Sequence, residues 1–438
     1  MKKRILRLLL LLIMFLFSYG SKTYAKEYVV VIDPGHGGDN LGGFTDQYTE
    51  KYLTMETALA MKERLEMYEG VKVILTHDDT ESPDISRKDR VEIASRNNAD
   101  YFFSIHYNMS VDHDLYGTEA WTSAIGDCYS KGQAFGKLWT EEFASKYDLF
   151  NRGVKIRLSD KDGTDYYGII KYATKAGIPA VILEHCHMDH YRDIEVLQQE
   201  DITVDFGITD ADAVAEFLGL HSDILGIDFS GSNVVFPESP DSYLKPDADP
   251  PSVNDISVSY EDDEYAILDI YAKDDSYVQY YAVSTDGGET FSYLNPWNSD
   301  PESLETEDTD LIEITVPKTD KEQNIIVRVY DAYDHTLDSD PIKLGAICQA
   351  DAGDDTAKSS DSGSGTKSDN VDGYSNANGT NGDSDLNDED GYRNVDVHPD
   401  KDGILIFAMI VIIVTVIMLI AIVFIYINRS KGSDNDKT

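Results

Sequence analysis

Three short runs, Tyr28–Ile32, Tyr101–Ile105 and Ile178–Leu183, restrict the fold more than any other feature of the 438-residue chain. Each is apolar almost throughout and far shorter than the roughly 20 residues that cross a bilayer as a helix. Strands of that kind have both faces covered, so helices are expected on either side of a largely buried sheet. The intervening segments agree. Leu53, Thr57, Leu59, Ala60 and Leu65 recur at roughly helical spacing before the β-rich Val71–Leu75, and a helix is expected over Arg87–Asn97. From Tyr28 to about Leu220 the pattern therefore predicts an open α/β sheet with helices on both faces.

In such sheets, ligands gather beyond the carboxyl ends of the strands. The first run enters Asp33-Pro34-Gly35-His36-Gly37-Gly38, whose glycines permit a sharp turn that sets His36 over the sheet edge, and Glu50 opens the next helix. The second run ends at His106 and the third at Glu184. Two histidines and a glutamate are the donor set of a catalytic zinc site with one position open to water. A further carboxylate beside it, Glu184, has the chemistry of a general base. A glycine-flanked histidine after a strand can equally be a loop residue, so the weight lies on the four groups sharing one edge.

Residues Val30 to Ala213 resemble the zinc-dependent N-acetylmuramoyl-L-alanine amidases. The resemblance rests on Ile32 to Gly38, Glu50-Lys51, the Arg87 to Arg96 helix leading through Ala99-Asp100 into Ser104-Ile105-His106-Tyr107-Asn108, Gly117-Thr118-Glu119, Asn151-Arg152-Gly153-Val154 and Pro179 to Glu184. It implies that His36, Glu50 and His106 hold Zn2+, that Glu184 is the catalytic glutamate, and that the amide between muramic acid and L-alanine of peptidoglycan is the bond cleaved. Asn108 and Arg152 are candidates for contacting substrate. For Arg152, a bidentate grip on a peptide carboxylate and a structural salt bridge both remain open. Where the family commonly has Gly-Phe and an Asn after the glutamate, this chain has His185-Cys186-His187-Met188-Asp189-His190. That cluster is either a second metal site or, because side chains alternate past a strand, a set of residues of which one hydrogen-bonds near the ligands. Two other readings stay open: a surface protein that holds peptidoglycan without cutting it, and a zinc peptidase acting on the stem peptide.

Beyond an expected linker at residues 223–252, the period changes to two. Ile256–Tyr260, Ala266–Tyr271, Val278–Val283, Leu311–Val316 and Ile325–Tyr330 are short strands separated by turn signals such as Asp286-Gly287-Gly288, which predicts a β-sandwich over residues 253–347. Its Tyr281–Phe291 hairpin resembles those of bacterial immunoglobulin-like modules. Many of the 28 tyrosines fall in this region. Sugar stacking and strand propensity explain them equally well.

The two ends suggest a compartment. Lys2, Lys3, Arg4 and Arg7, the apolar stretch Leu8–Phe17 and Thr23-Tyr24-Ala25 make residues 1–25 an expected signal peptide. Residues 348–402, rich in Ser, Gly, Asn and Asp, form an expected acidic disordered linker. Gly403–Ile427 carries no charge and is long enough to span a bilayer; Arg429 and Lys431 follow it, which assigns residues 428–438 to the cytoplasm and residues 26–402 to the outside, facing the wall. A net charge of −44, from 37 basic and 81 acidic side chains, opposes binding to nucleic acid. Three cysteines make no disulfide scaffold. Cys128 and Cys348 are expected as isolated thiols, and His77 and His113 as solvated loop residues.

Overall fold

The computed structural model describes residues 26–81, 83–297 and 310–346. The expected signal peptide, the acidic linker, the Gly403–Ile427 span and Cys348 lie outside them. Among the described residues, no helix is long and apolar enough to cross a membrane.

The first half is built on one six-stranded sheet. In chain order its elements are β1 (Tyr28–Pro34), α1 (Glu50–Leu65), β2 (Val71–Leu75), α2 (Arg87–Arg96), β3 (Tyr101–Asn108), β4 (Thr118–Thr122), α3 (Gly126–Tyr147), β5 (Asn151–Ile156), α4 (Gly168–Lys175), β6 (Ala180–His187), α5 (Tyr191–Leu197) and α6 (Ile202–Leu218). The spatial order is β2-β1-β3-β6-β4-β5. Alternation along each strand sorts the core. Val30, Ile32, Phe103, Ile105, Val181 and Leu183 pack with Met61 of α1, Phe135 and Trp139 of α3 and Phe206 of α6. Their neighbours Val31, Phe102, Ala180 and Ile182 face the other way, onto Val91 of α2 and Ile169 and Ala173 of α4. Helices therefore cover both faces, as the apolar strands predict.

The sheet is mixed. β1, β2, β3 and β6 run parallel, whereas β4 runs antiparallel to β6, and β5 runs parallel to β4. As a result the first residues of β4 and β5 share an edge with the last residues of β1, β3 and β6.

The second half forms two facing sheets. β9 (Val253–Glu261), β10 (Tyr265–Lys273) and β13 (Leu311–Pro317) make one, in the order β13-β10-β9. β11 (Val278–Ser284), β12 (Asn295–Pro296), β14 (Gln323–Asp331) and β15 (Thr336–Asp338) make the other, with β16 (Ile342–Leu344) also pairing with β14. Ala266, Leu268 and Ile270 from the first sheet meet Ile325, Val327 and Val329 from the second, the interdigitation expected of a sandwich core. A small two-stranded pair, β7 (His221–Ser222) and β8 (Ile227–Asp228), closes the first half.

Residues of the expected linker run as a strap along the first domain. Gly126 N donates to Pro240 O, Ser130 Oγ to Pro237 O, and Leu244 N to Ala124 O. The strap returns the chain to the β5 edge, where the sandwich docks. There Tyr116, Tyr280, Ala282 and Leu294 form a shared buried cluster flanked by Phe150. Leu225, Ile227, Phe229 and Val234 also pack against the first core, but singly and without a regular period, so periodicity could not reveal the strap.

Candidate metal centre

Backbone conformation, carbonyl anchors and glycine gaps together assemble the site. His36 sits at φ +66°, in the left-handed region, immediately after β1. Arg90 of α2, almost wholly buried, secures that turn: Nη1 donates to Asp33 Oδ1 (2.8 Å) and Pro34 O (2.6 Å), and Nη2 to His36 O (2.7 Å). Asp33 also accepts from Thr76 Oγ1 and Ser104 Oγ, so it serves the scaffold. Thr54 Oγ1 and Lys51 Nζ of α1 hold the carbonyls of Gly35 and Gly38. At Gly42, φ +70°, a Cβ would lie 2.4 Å from Glu50 Oε2 and 2.6 Å from His36 Cδ2, and at Gly35 one would lie 2.6 Å from His106 Cε1. Only glycine lets the loop close over these side chains.

The structure brings together the three side chains that the sequence singles out as ligands. Candidate donor atoms of His36, Glu50 and His106 all lie within 4.8 Å of one another. Glu50 Oε1 is 2.9 Å from His106 Nδ1 and accepts from Tyr107 N (3.1 Å); Oε2 is 3.0 Å from His36 Nε2 and accepts from Gly43 N (2.7 Å). The two imidazoles stand edge to face, centroids 5.0 Å apart. Burial alone would raise the pKa of Glu50, but the two imidazoles hold it well below the usual carboxylate range. His36 is drawn down by burial and up by Glu50, with a net rise.

One detail tests whether a cation fits. His36 Nδ1 is 3.0 Å from Asn40 Oδ1, an acceptor, which favours the neutral tautomer with the proton on Nδ1 and the lone pair on Nε2. That Nε2 is shielded from solvent, faces a carboxylate at 3.0 Å, and makes no hydrogen bond of acceptable geometry. A lone pair opposed to an anion calls for a positive charge between them. The donor set, two imidazole nitrogens and one carboxylate, suits zinc.

Glu184 occupies the neighbouring strand position. In the β3–β6 ladder it pairs with His106, and in the β6–β4 ladder with Glu119. Its Oε2 is buried without a partner. Burial, then Glu50 and Glu119, push its pKa well above the ordinary value.

Glu119 and Arg90 are the important groups to which the sequence reading gave no role. Glu119 is fully buried: Oε1 accepts from Asn108 Nδ2 (2.8 Å) and Trp121 Nε1 (3.1 Å), and Oε2 from Arg152 Nε (2.8 Å) and Lys155 Nζ (2.8 Å). Burial would raise its pKa, but Lys155 and Arg152 hold it well below the carboxylate range. Its signal was a lone acid in the otherwise uncharged strand Thr118-Glu119-Ala120-Trp121-Thr122.

Of the two expected substrate contacts, Asn108 uses Nδ2 on Glu119 and Oδ1 on Met109 N. Arg152 takes the salt-bridge alternative. Its guanidinium is buried against Glu119, Tyr280 Oη (3.0 Å) and both oxygens of Asp334 (3.0 and 3.1 Å). A side chain so enclosed is not presented to a peptide carboxylate.

The His185–His190 cluster divides. His185 lies among Tyr107, Trp139, Phe143 and Phe206, with Nε2 2.9 Å from Asp210 Oδ2. His187 Nδ1 is 3.1 Å from Gly117 O, and burial, then Arg152, lower its pKa to about 3. His190 stacks on Tyr116 and caps α5, accepting from Arg192 N. The Cys186 thiol is buried and pushed up by that burial. Among the described residues no candidate ligand group joins Cys186 to these histidines. Cys128 is a buried free thiol. His113, expected to be solvated, is exposed yet pairs with Asp189 at 2.6 Å, and His77 Nδ1 is 3.1 Å from Thr76 Oγ1.

One edge of the mixed sheet thus carries a His/Glu/His cluster able to hold a metal ion and, beside it, a carboxylate oxygen without a partner. Residues 30–216 match the family described as N-acetylmuramoyl-L-alanine amidase. Over 175 residues the chain is 30% identical to N-acetylmuramoyl-L-alanine amidase CwlM of Bacillus licheniformis, covering 39% of this chain and 60% of that protein. Over 80 residues it is 41% identical to the sporulation-specific N-acetylmuramoyl-L-alanine amidase of Bacillus subtilis (strain 168), covering 18% and 31%. The chain thus spans less than two thirds of the length of either relative. Among solved structures, the catalytic domain of CwlV, an N-acetylmuramoyl-L-alanine amidase from Bacillus (Paenibacillus) polymyxa var. colistinus, is 28% identical with a TM-score of 0.37, over 44% of this chain and 98% of that one.

Proposed function

We propose that this protein is a zinc-dependent N-acetylmuramoyl-L-alanine amidase that hydrolyses the amide between muramic acid and L-alanine in peptidoglycan. The observation that carries the reading is the His36 Nε2 lone pair set against Glu50 Oε2, with Glu184 beside it and unpartnered. The family match over residues 30–216 supports the choice of bond. His36, Glu50 and His106 would hold the metal, which when bound polarises a carbonyl and acidifies water. Glu184 takes the proton of the attacking water on its free Oε2 and delivers it to the departing alanine nitrogen, because an amine leaves poorly as an anion. Glu50, hydrogen-bonded by Tyr107 N and Gly43 N, stays ionised and keeps the two imidazoles oriented.

The same proposal places the enzyme on the outer face of a bacterial plasma membrane. The N-terminal apolar segment would direct export and Gly403–Ile427 would anchor the chain, leaving the amidase domain and an immunoglobulin-like sandwich toward the wall. The deciding experiment is digestion of purified muropeptides by the full-length chain. Release of peptides with a free L-alanine amino terminus, leaving unsubstituted muramic acid, is the expected result. Cleavage within the stem peptide would show a peptidase, and binding of metal and glycan without product would show a non-catalytic binder.

A further inference from the structure

We infer that the sandwich domain is a working part of the hydrolytic edge, acting through Arg152 as a positioning residue. The inference rests on the amidase reading and adds a role for the second domain. Four side chains run across adjacent strands at one edge: His106 on β3, Glu184 on β6, Glu119 on β4 and Arg152 on β5. The first three are neighbours by ladder register and the last two by a 2.8 Å ion pair. β5 is the outermost strand, so within its own sheet Arg152 has a neighbour on one side only.

The sandwich supplies the other side. Asp334 takes Nη2 with both carboxylate oxygens, and Tyr280 Oη accepts from Nη1 while donating to Tyr116 O at 2.5 Å. Gln279 Nε2 holds the Arg152 carbonyl at 3.0 Å. Nε, Nη1 and Nη2 thus each have a separate partner, and a planar donor held at three nitrogens transmits orientation where a single point charge would not.

What Arg152 orients is Glu119. With Lys155 it pins Oε2, which directs Oε1 at the Asn108 carboxamide, two residues beyond His106. Without Asp334 the buried guanidinium keeps Tyr280 Oη but loses its charged partner on the sandwich side, and is drawn toward Glu119. The Glu119 carboxylate then turns, and with it the Asn108 side chain and the wall beside Glu184. The expected consequence is misplacement of reacting groups, to which rate is more sensitive than affinity.

The test uses the full-length chain and the Asp334→Ala, Asp334→Glu and Glu119→Gln variants. For Asp334→Ala, kcat on muropeptide should fall about tenfold while KM stays within about twofold and zinc content is unchanged. Asp334→Glu should restore much of the rate. Combining Asp334→Ala with Glu119→Gln should cost less than the product of the two single losses, because they act in one chain of contacts. A folded Asp334→Ala variant with wild-type kcat, or a fully multiplicative double variant, overturns the inference. Crystal structures of wild type and Asp334→Ala form an arm independent of activity: displacement of the Glu119 carboxylate supports the coupling, and an unmoved Glu119 refutes it. Should the wild-type chain release no peptide, the amidase reading fails and the structural arm alone decides.

Discussion

Two ionic clusters lie side by side on one sheet edge, both partly buried, and differ in how their polar atoms are partnered. Around His36, Glu50, His106 and Glu184, lone pairs are left over: His36 Nε2 and Glu184 Oε2 have no partner. Around Glu119, Arg152, Lys155 and Asp334, all four carboxylate contacts of Glu119 are made and Arg152 is gripped from both domains. A fully satisfied network holds shape, whereas an unsatisfied one is set for something that arrives later. The difference separates a cluster left open to a ligand from one that holds its neighbours in position, although both are rich in charge.

The comparison breaks most readily at Glu184. Glu184→Gln keeps the shape and removes the base, so turnover should fall about 10²–10⁴-fold while zinc, measured by atomic absorption, stays bound. A variant that stayed fully active would end the assigned role. At Arg152 stability should fall together with rate: Arg152→Met leaves Glu119 and Asp334 without their shared cation and should cost about 3–5 kcal/mol in urea unfolding. Zinc sharpens the contrast from the other side. At about 100 times its Kd it should stabilise the wild-type chain by about 2.7 kcal/mol, and His36→Ala should abolish that increment.

A smaller effect concerns pH. His187 is neutral in the folded chain down to about 3, whereas in the unfolded chain an imidazole binds a proton below about 6.5. The unfolded state therefore takes up the extra proton in that window, and the His187 contribution to stability is lost as pH falls from about 6.5 toward 3. His187→Gln should flatten the wild-type stability profile over that range in parallel thermal melts. Smallest of all, Asp338→Asn removes the exposed bidentate partner of Arg328 and should change stability by less than about 1 kcal/mol, with no change in rate.

The sheet and its ligands were legible because they depend on side-chain type at strand ends. Apolar runs marked β1, β3 and β6, and the polar residues at or just beyond their ends, His36, His106 and Glu184, are the ones that the structure gathers at one edge. The buried stripe of α1 was less legible: the structure buries Thr54, Thr57, Ala58, Met61 and Leu65 and leaves Leu59 exposed. A helix bordered by two neighbours tolerates threonines inward, so hydrophobicity alone misassigns its phase. Glu119 and Arg152 were illegible as partners because strand direction is set by tertiary pairing. Nothing in the local sequence says that β4 and β5 run against β6. The docking of the sandwich was hidden for the same reason, since Tyr280 and Asp334 lie 128 and 182 positions from Arg152.

That reversal of two strands bears on how such an enzyme could be retuned. In a uniformly parallel sheet, the segments leaving the strands frame the ligand and the segments entering them sit at the far end. Here the segments entering β4 and β5, residues 109–117 and 148–150, open onto the edge that carries His106 and Glu184 as well. Loop grafts or randomised libraries therefore have two further insertion points beside the His36, Glu50 and His106 cluster.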